Sequence, residues 1–222
     1  MNIEYFNEYL KYEQIGIKTK IKEYIQYFIN SFDNYTEKEL WTFEYLPQLI
    51  ENSKQRDRSK MFYYSGFFPK NEINEYWNHY IRIRNELFEE IIFPVLWNGY
   101  KNKDIKSMIW LAKLEQNYVQ NKKLWKIMDF KSSMEIIKEC YEIDSENIEV
   151  IDIYLEKKLD WVDYSIHEWP SGILIGNDGA TKEDCKYLLV ELIPLINKLD
   201  RNKKYTEYIK DYENKIKEYM KK

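Results

Sequence analysis

The sequence predicts an all-α protein, an irregular multi-helix bundle of helical hairpins with about eight to ten helices and one ordered glycine-rich loop near 169–181. Three observations carry that expectation. Apolar residues recur at spacings of three and four along most of the chain, the period of a helix with one buried face. Alternating strand-like runs are missing; the only strand candidate is 173–175, which needs a second short segment to pair with. Glycine is scarce, six in 222 residues, and three of the six (Gly172, Gly176 and Gly179) fall within 161–181. That island is where the backbone is expected to depart from the helix.

Ile3, Phe6 and Leu10 begin a first stripe, and Ile21, Ile25, Phe28 and Ile29 continue it after a break at Gly16. Thr36 with Glu39 reads as a capping box opening a helix through Trp41, Tyr45, Leu49 and Ile50. The polar stretch 51–60 reads as a loop or an exposed helix start, and Phe67, Phe68 and Pro69 as a turn. Segment 71–97 reads as one long helix that Pro94 kinks or ends, since proline offers no amide to Glu90; Gly99 then suits a C-cap. Helices are expected near 105–119 and 124–141. The clearest stripe is Ile148, Ile151, Leu155, Leu159, Val162 and Ile166, and a second face with Val150, Tyr154, Trp161 and Tyr164 makes this helix apolar nearly all round, hence central. Thr181 with Asp184 caps the next helix, which carries Cys185, Leu188, Leu192 and Pro194; a last helix spans about 203–220. Pro47, Pro94 and Pro194 each stand inside an apolar helix end that runs into a polar turn, a shared device and not an evenly spaced repeat.

The length suits a single helical domain over 1–222, with room for two packed halves meeting near 100–121. An apolar content of 44% is ample for a core. No run approaches the roughly 20 apolar residues that span a bilayer. The opening MNIEYFNEYLKYEQ has neither a basic nor an apolar signal region, so no secretory leader is expected. Cys140 and Cys185 lie inside helices and read as reduced, buried thiols of a cytoplasmic protein. Net charge is −4 and arginine is rare, which argues against nucleic acid and anionic membranes as partners. Abundant Lys, Asn, Ile and Tyr fit an AT-rich genome, so the aromatic content alone does not mark a binding surface.

Candidate chemistry gathers in the island. Asp163 and His167 stand four apart on one helix face, within reach of a carboxylate–imidazole pair, and Glu168 follows. If the chain is an enzyme, His167 is its base, with Asp163 or Glu168 orienting it. Ser165 and Ser171 are near, but no GxSxG turn frames either. His79 is the only other histidine and no HxxxH or CxxC occurs, so no metal site and no cofactor is expected. The preferred reading is structural: His167 and Glu168 lock the end of the buried helix, and Trp161 and Trp169 pack beneath. The stretch 172–181 could hold an anion at a helix start, yet it lacks a Walker lysine and GxGxxG spacing, and Asp178 places negative charge where a phosphate would sit. It reads as an Asn177-Asp178-Gly179 turn. Lys54, Arg56, Arg58 and Lys60, followed by Phe62, Tyr63 and Tyr64, could track a phosphate backbone, but Glu51 and Asp57 dilute the cluster, which reads as a solvated loop edge. Lys217, Lys221 and Lys222 complement a helix C-terminus.

Two resemblances add to these readings. Segment 139–150 is similar to the turn between tetratricopeptide repeats, with Asp144 and Asn147 placed as in that family and Ser145 where the family has proline. It implies a helix–turn–helix here. In size, acidity and helical class the chain resembles the helical immunity proteins of bacterial toxin–immunity clusters, such as those of contact-dependent inhibition. That resemblance implies a non-catalytic protein-binding module that masks a basic toxin domain. On this reading Trp161, Asp163, His167, Glu168, Trp169, Asn177 and Asp178 form the binding surface; the alternatives are a small enzyme site at His167, Glu168 and Asp163, or a nucleic-acid-binding helical scaffold.

Overall fold

The computed structural model describes residues 1–56, 83–176 and 178–221, and of residues 50–56 only the backbone. The protein is all-α, as the sequence predicts, and it divides into two compact units, Met1–Ile136 and Ile137–Lys222. None of the described helices is long and apolar enough to cross a membrane.

In the first unit α1 (Ile3–Ile15) and α2 (Lys18–Asn30) form a hairpin. Gly16 closes α1 in the left-handed region at φ 76°, a conformation that a β-carbon disfavours. Helix α3 (Tyr35–Arg56) follows. Its first turn is capped by Asn34, whose Oδ1 accepts the Glu37 amide at 3.0 Å; Thr36 lies inside the helix, so the expected Thr36–Glu39 box is replaced by a cap two residues earlier. Phe6, Phe28, Trp41 and Tyr45 meet tilted, edge-on or stacked at 4.5–5.4 Å between ring centres. Much of the aromatic content of this half is therefore core, and a buried Phe contributes roughly 1.5–3 kcal/mol.

The expected helix over 71–97 does not run unbroken. Residues 71–82 lie outside the described residues, Ile83 is not helical, and Arg84 is extended ahead of α4 (Asn85–Leu87). A π-helical turn (Phe88–Ile92) leads from α4 into α5 (Phe93–Lys101). Pro94 neither ends nor breaks this run. The turn before it is widened so that the Phe93 amide bonds back five residues to Phe88 O. The wider turn gives the proline ring room and leaves the Glu90 carbonyl without its usual amide; that carbonyl accepts from Lys38 Nζ at 3.1 Å. Gly99 is not the C-cap, which is Asn102. It lies where α5 crosses α6 (Ile105–Lys113): a β-carbon at Gly99 would stand 2.5 Å from Ser107 Cβ and closer still to its Oγ. Short helices α7 (Glu115–Val119) and α8 (Lys122–Ile127) follow. The expected helix over 124–141 is interrupted by a tight turn in which Asp129 and Phe130 are both left-handed, at φ 54° and 58°. The chain then re-enters a helix as α9 (Ser133–Ile143).

In the second unit the turn after α9 leads into α10 (Ile148–Ser165), capped by Asn147 Oδ1 on the Val150 amide. The helix–turn–helix expected at 139–150 is present. Val150, Ile151, Ile153, Tyr154, Leu155, Leu159 and Val162 are buried, but Ile148 and Tyr164, expected on its buried faces, are exposed together with Glu149 and Asp152, so α10 buries one broad side and is not enclosed all round. After the island, α11 (Lys182–Tyr187), a second π-helical turn (Leu188–Leu192) and α12 (Ile193–Leu199) repeat the proline device: the Ile193 amide reaches Leu188 O just before Pro194. A left-handed lysine follows each copy, Lys103 two residues past α5 at φ 58° and Lys203 four residues past α12 at φ 57°. Helix α13 (Thr206–Tyr219) closes the unit. Buried Asp200 holds its start by accepting the Lys204 and Tyr205 amides, both at 2.9 Å. Cys140 and Cys185 are buried free thiols.

Candidate functional site

The island begins where α10 frays. Ile166 N–H bonds Val162 O, Trp169 N–H bonds Ile166 O, and the Ser171 and Gly172 amides both reach Glu168 O, so the chain leaves the helix through successive turns. The peptide Trp169–Pro170 is cis. The strand candidate finds its partner: β1 (Leu174–Ile175) pairs antiparallel with β2 (Asp178–Gly179), Leu174 opposite Gly179 and Ile175 opposite Asp178. The Ala180 amide extends the ladder to Ile173 O at 2.7 Å. Gly176 at φ 61° makes the reversal. The expected ordered loop is thus a minimal β-hairpin. Thr181 and Asp184 then form a complete capping box at the start of α11, and the two bonds from Thr181 hold the Asp184 carboxyl below the usual carboxylate range.

Asp163 and His167 are each committed elsewhere. Asp163 Oδ1 accepts from Tyr208 Oη at 2.8 Å. His167 Nδ1 lies 2.6 Å from Tyr164 O, which fixes that nitrogen as the donor, and the imidazole tilts against the Tyr164 ring. His167 Nε2 stands 3.9 Å from Glu168 Oε1, with both side chains about half exposed. Trp161 and Trp169 are half-buried, Asp178 is exposed, and Asn177 lies outside the described residues. Ser165 is wholly buried and bonded to Val162 O and the Tyr212 hydroxyl, whereas Ser171 is exposed on the turn. The structure therefore brings His167 and Glu168 together at the surface and ties Asp163 inward.

Helix α13 supplies the partners that sequence reading missed. Tyr208 takes Asp163, Tyr212 takes Ser165, and Tyr219 donates to Ala180 O at 3.2 Å, so three hydroxyls on one helix fasten the end of α10 and the hairpin. Burial pushes the Tyr212 hydroxyl up to about 12, and burial with the Asp163 charge raises Tyr208 further. The spacing of four and seven among these tyrosines was the available signal. Asp160 was also missed. Its Oδ1 is buried without a hydrogen-bond partner, and burial, aided by Glu156 and Asp163, pushes its carboxyl up to about 7. Glu149, Asp152, Glu156, Asp160 and Asp163 recur at spacings of three and four, one line along α10.

Over 148–184 nine carboxylates face only Lys157, Lys158 and Lys182. Among the described residues no group of three or more His, Cys, Asp or Glu side chains is placed to hold a metal ion. Two shallow open depressions lie in the first unit, one lined by Glu39, Phe43, Asp104 and Lys106, the other by Asn85, Asn117, Asn121 and Lys123. Of the basic cluster read as a solvated loop edge, Lys54 and Arg56 lie instead on the last turns of α3, while Arg58, Lys60, Phe62, Tyr63 and Tyr64 lie outside the described residues, as does His79. Comparison of the chain with family models, with curated proteins and with solved structures finds no match.

Proposed function

We propose that this protein is a non-catalytic binding module whose second unit receives a basic protein, and that it acts in the manner of an immunity protein, masking the active surface of a toxin-like partner. One observation carries the reading: the exposed acidic edge of α10, Glu149 and Asp152 with half-buried Glu156, inside a 37-residue stretch holding nine acids against three lysines. Such a face raises the encounter rate with a cationic partner, and aromatic side chains beside it lengthen the residence time. Tyr164, 46% exposed, and half-buried Trp161 and Trp169 supply those side chains. His167 and Glu168 form the polar rim. The carboxylate–imidazole pair expected between Asp163 and His167 is not formed: His167 Nδ1 donates to Tyr164 O and Asp163 accepts from Tyr208.

The test is capture of partners by the tagged chain from its native host, read by mass spectrometry, with two variants in parallel. Replacement of exposed Glu149 and Asp152 by lysine is expected to reduce capture of a basic protein about tenfold or more. His167→Gln is expected to leave capture unchanged. Capture that survives replacement of Glu149 and Asp152 by lysine undiminished, in a chain that circular dichroism shows to be folded, contradicts the reading.

A further inference from the structure

Although the chain is acidic, its charge is divided. Over 97–131, within the first unit, eight lysines stand against three carboxylates, Asp104, Glu115 and Asp129. Two of those three are already occupied: Asp104 caps α6 through the Ser107 amide, and Glu115 accepts the Ser133 amide at 2.8 Å. The lysines Lys101, Lys103, Lys122, Lys123 and Lys126 are exposed.

Aromatic rings run through the same segment. Phe93, Trp97 and Tyr100 share one face of α5 and stack nearly parallel, 8° apart at each step, with Trp97 and Tyr100 centred at 4.9 Å. Lys131 Nζ lies 5.8 Å from the Tyr100 ring centre. The Lys131 carbonyl accepts from the Trp125 indole at 3.1 Å, and Phe130 stands edge-on to Trp125 at 5.3 Å. Tyr100, Lys131, Trp125 and Phe130 are therefore linked contact by contact. Phe130 is held at φ 58°, a conformation unfavourable for a bulky side chain, and yet its ring is 53% exposed. The left-handed pair Asp129–Phe130 closes α8, with the Phe130 amide bonded back to Trp125 O at 2.9 Å, and it leaves the Phe130 ring outside the core.

We propose that this surface of the first unit binds single-stranded nucleic acid, with the lysines following the phosphates and the exposed Phe130 ring, flanked by half-buried Trp125 and Tyr100, taking a base. A polyanion with flat apolar faces satisfies both halves of the surface, whereas an acidic polypeptide satisfies only the charge. Lysine in place of arginine, and rings in place of amide forks, favour binding with little sequence preference. The surface is separate in sequence from the acidic face of α10 and takes a ligand of opposite charge.

The test is fluorescence anisotropy of a labelled oligo-dT with the full-length chain, at 50 and 200 mM salt. Binding is expected at low salt and is expected to weaken at least tenfold at the higher. Phe130→Ala is expected to weaken it roughly fivefold or more, and Phe130→Tyr to restore it, since stacking survives. Lys126→Glu with Lys123→Glu, both at exposed positions, should abolish it at 200 mM salt. Three results overturn the proposal: no binding at 50 mM salt; binding unaffected by Phe130→Ala and by the lysine pair; or binding lost only when Arg56 and Arg58 become Ala. Competition by polyglutamate as effective as oligo-dT of equal charge would assign the surface to an acidic protein instead.

Discussion

A partly buried carboxyl with an oxygen that no donor reaches weakens the fold once it ionises, and Asp160 on α10 is held in that way. Its folded-state value, about 7, lies above the ordinary aspartate range. The folded protein therefore binds more protons than the unfolded chain between about pH 4 and pH 7, and stability falls as pH rises through that window. Asp160→Asn is expected to raise stability by about 1 kcal/mol at pH 8 and to change little near pH 4, measured by urea unfolding at both. A second residue with a definite expectation is Gly99. Gly99→Ala pushes a methyl into Ser107 and is expected to cost about 1–3 kcal/mol, with Ser107→Gly in the same chain recovering part of the loss. Sequence shows that Gly99 follows an apolar helix, which suits a cap. It does not show which helix crosses there, and the crossing with α6 is what requires glycine. Asp160 was hidden for a similar reason: its spacing from Glu156 and Asp163 was legible, its burial was not.

At the scale of elements, local chemistry read well and context read poorly. Thr181 with Asp184 is a capping pair in sequence and a capping box in the structure. Thr181→Ala is expected to destabilise the protein by about 1 kcal/mol in thermal or urea unfolding. Because the box lowers the Asp184 carboxyl, its contribution is present above the ordinary aspartate range and is lost as pH falls through the lowered value. Prolines were harder. Pro94 and Pro194 look like helix stops because a regular α-turn has no place for the ring. The π-helical turns ahead of them remove that conflict: in both copies the turn ends two residues before the proline, so the residue that reads as a stop is the one the widened turn accommodates. The hairpin at 174–179 is a third case. Two residues per strand give no period to detect, and the pairing is supported by the Ala180 bond to Ile173 and by Tyr219 from α13.

For the whole molecule, helical periodicity and scarce glycine were enough to give the all-α class, since both are properties of the chain itself. The division at 136–137 depends on which helices pack together, which no local pattern encodes. The candidate site was half legible. The sequence located the island and its His167–Glu168 pair, but the partner of Asp163 lies 45 residues on, in α13, and the acidic line of α10 gains meaning only beside a charge count for the rest of the chain. The central claim is that the protein acts by occupying a surface and not by turnover. The most direct measurement is titration of the captured partner's activity with increasing amounts of this protein. Masking predicts a linear fall that ends at one molecule per partner and is the same for wild type and His167→Gln. Inhibition by far less than one equivalent, abolished by His167→Gln in a folded chain, would contradict it.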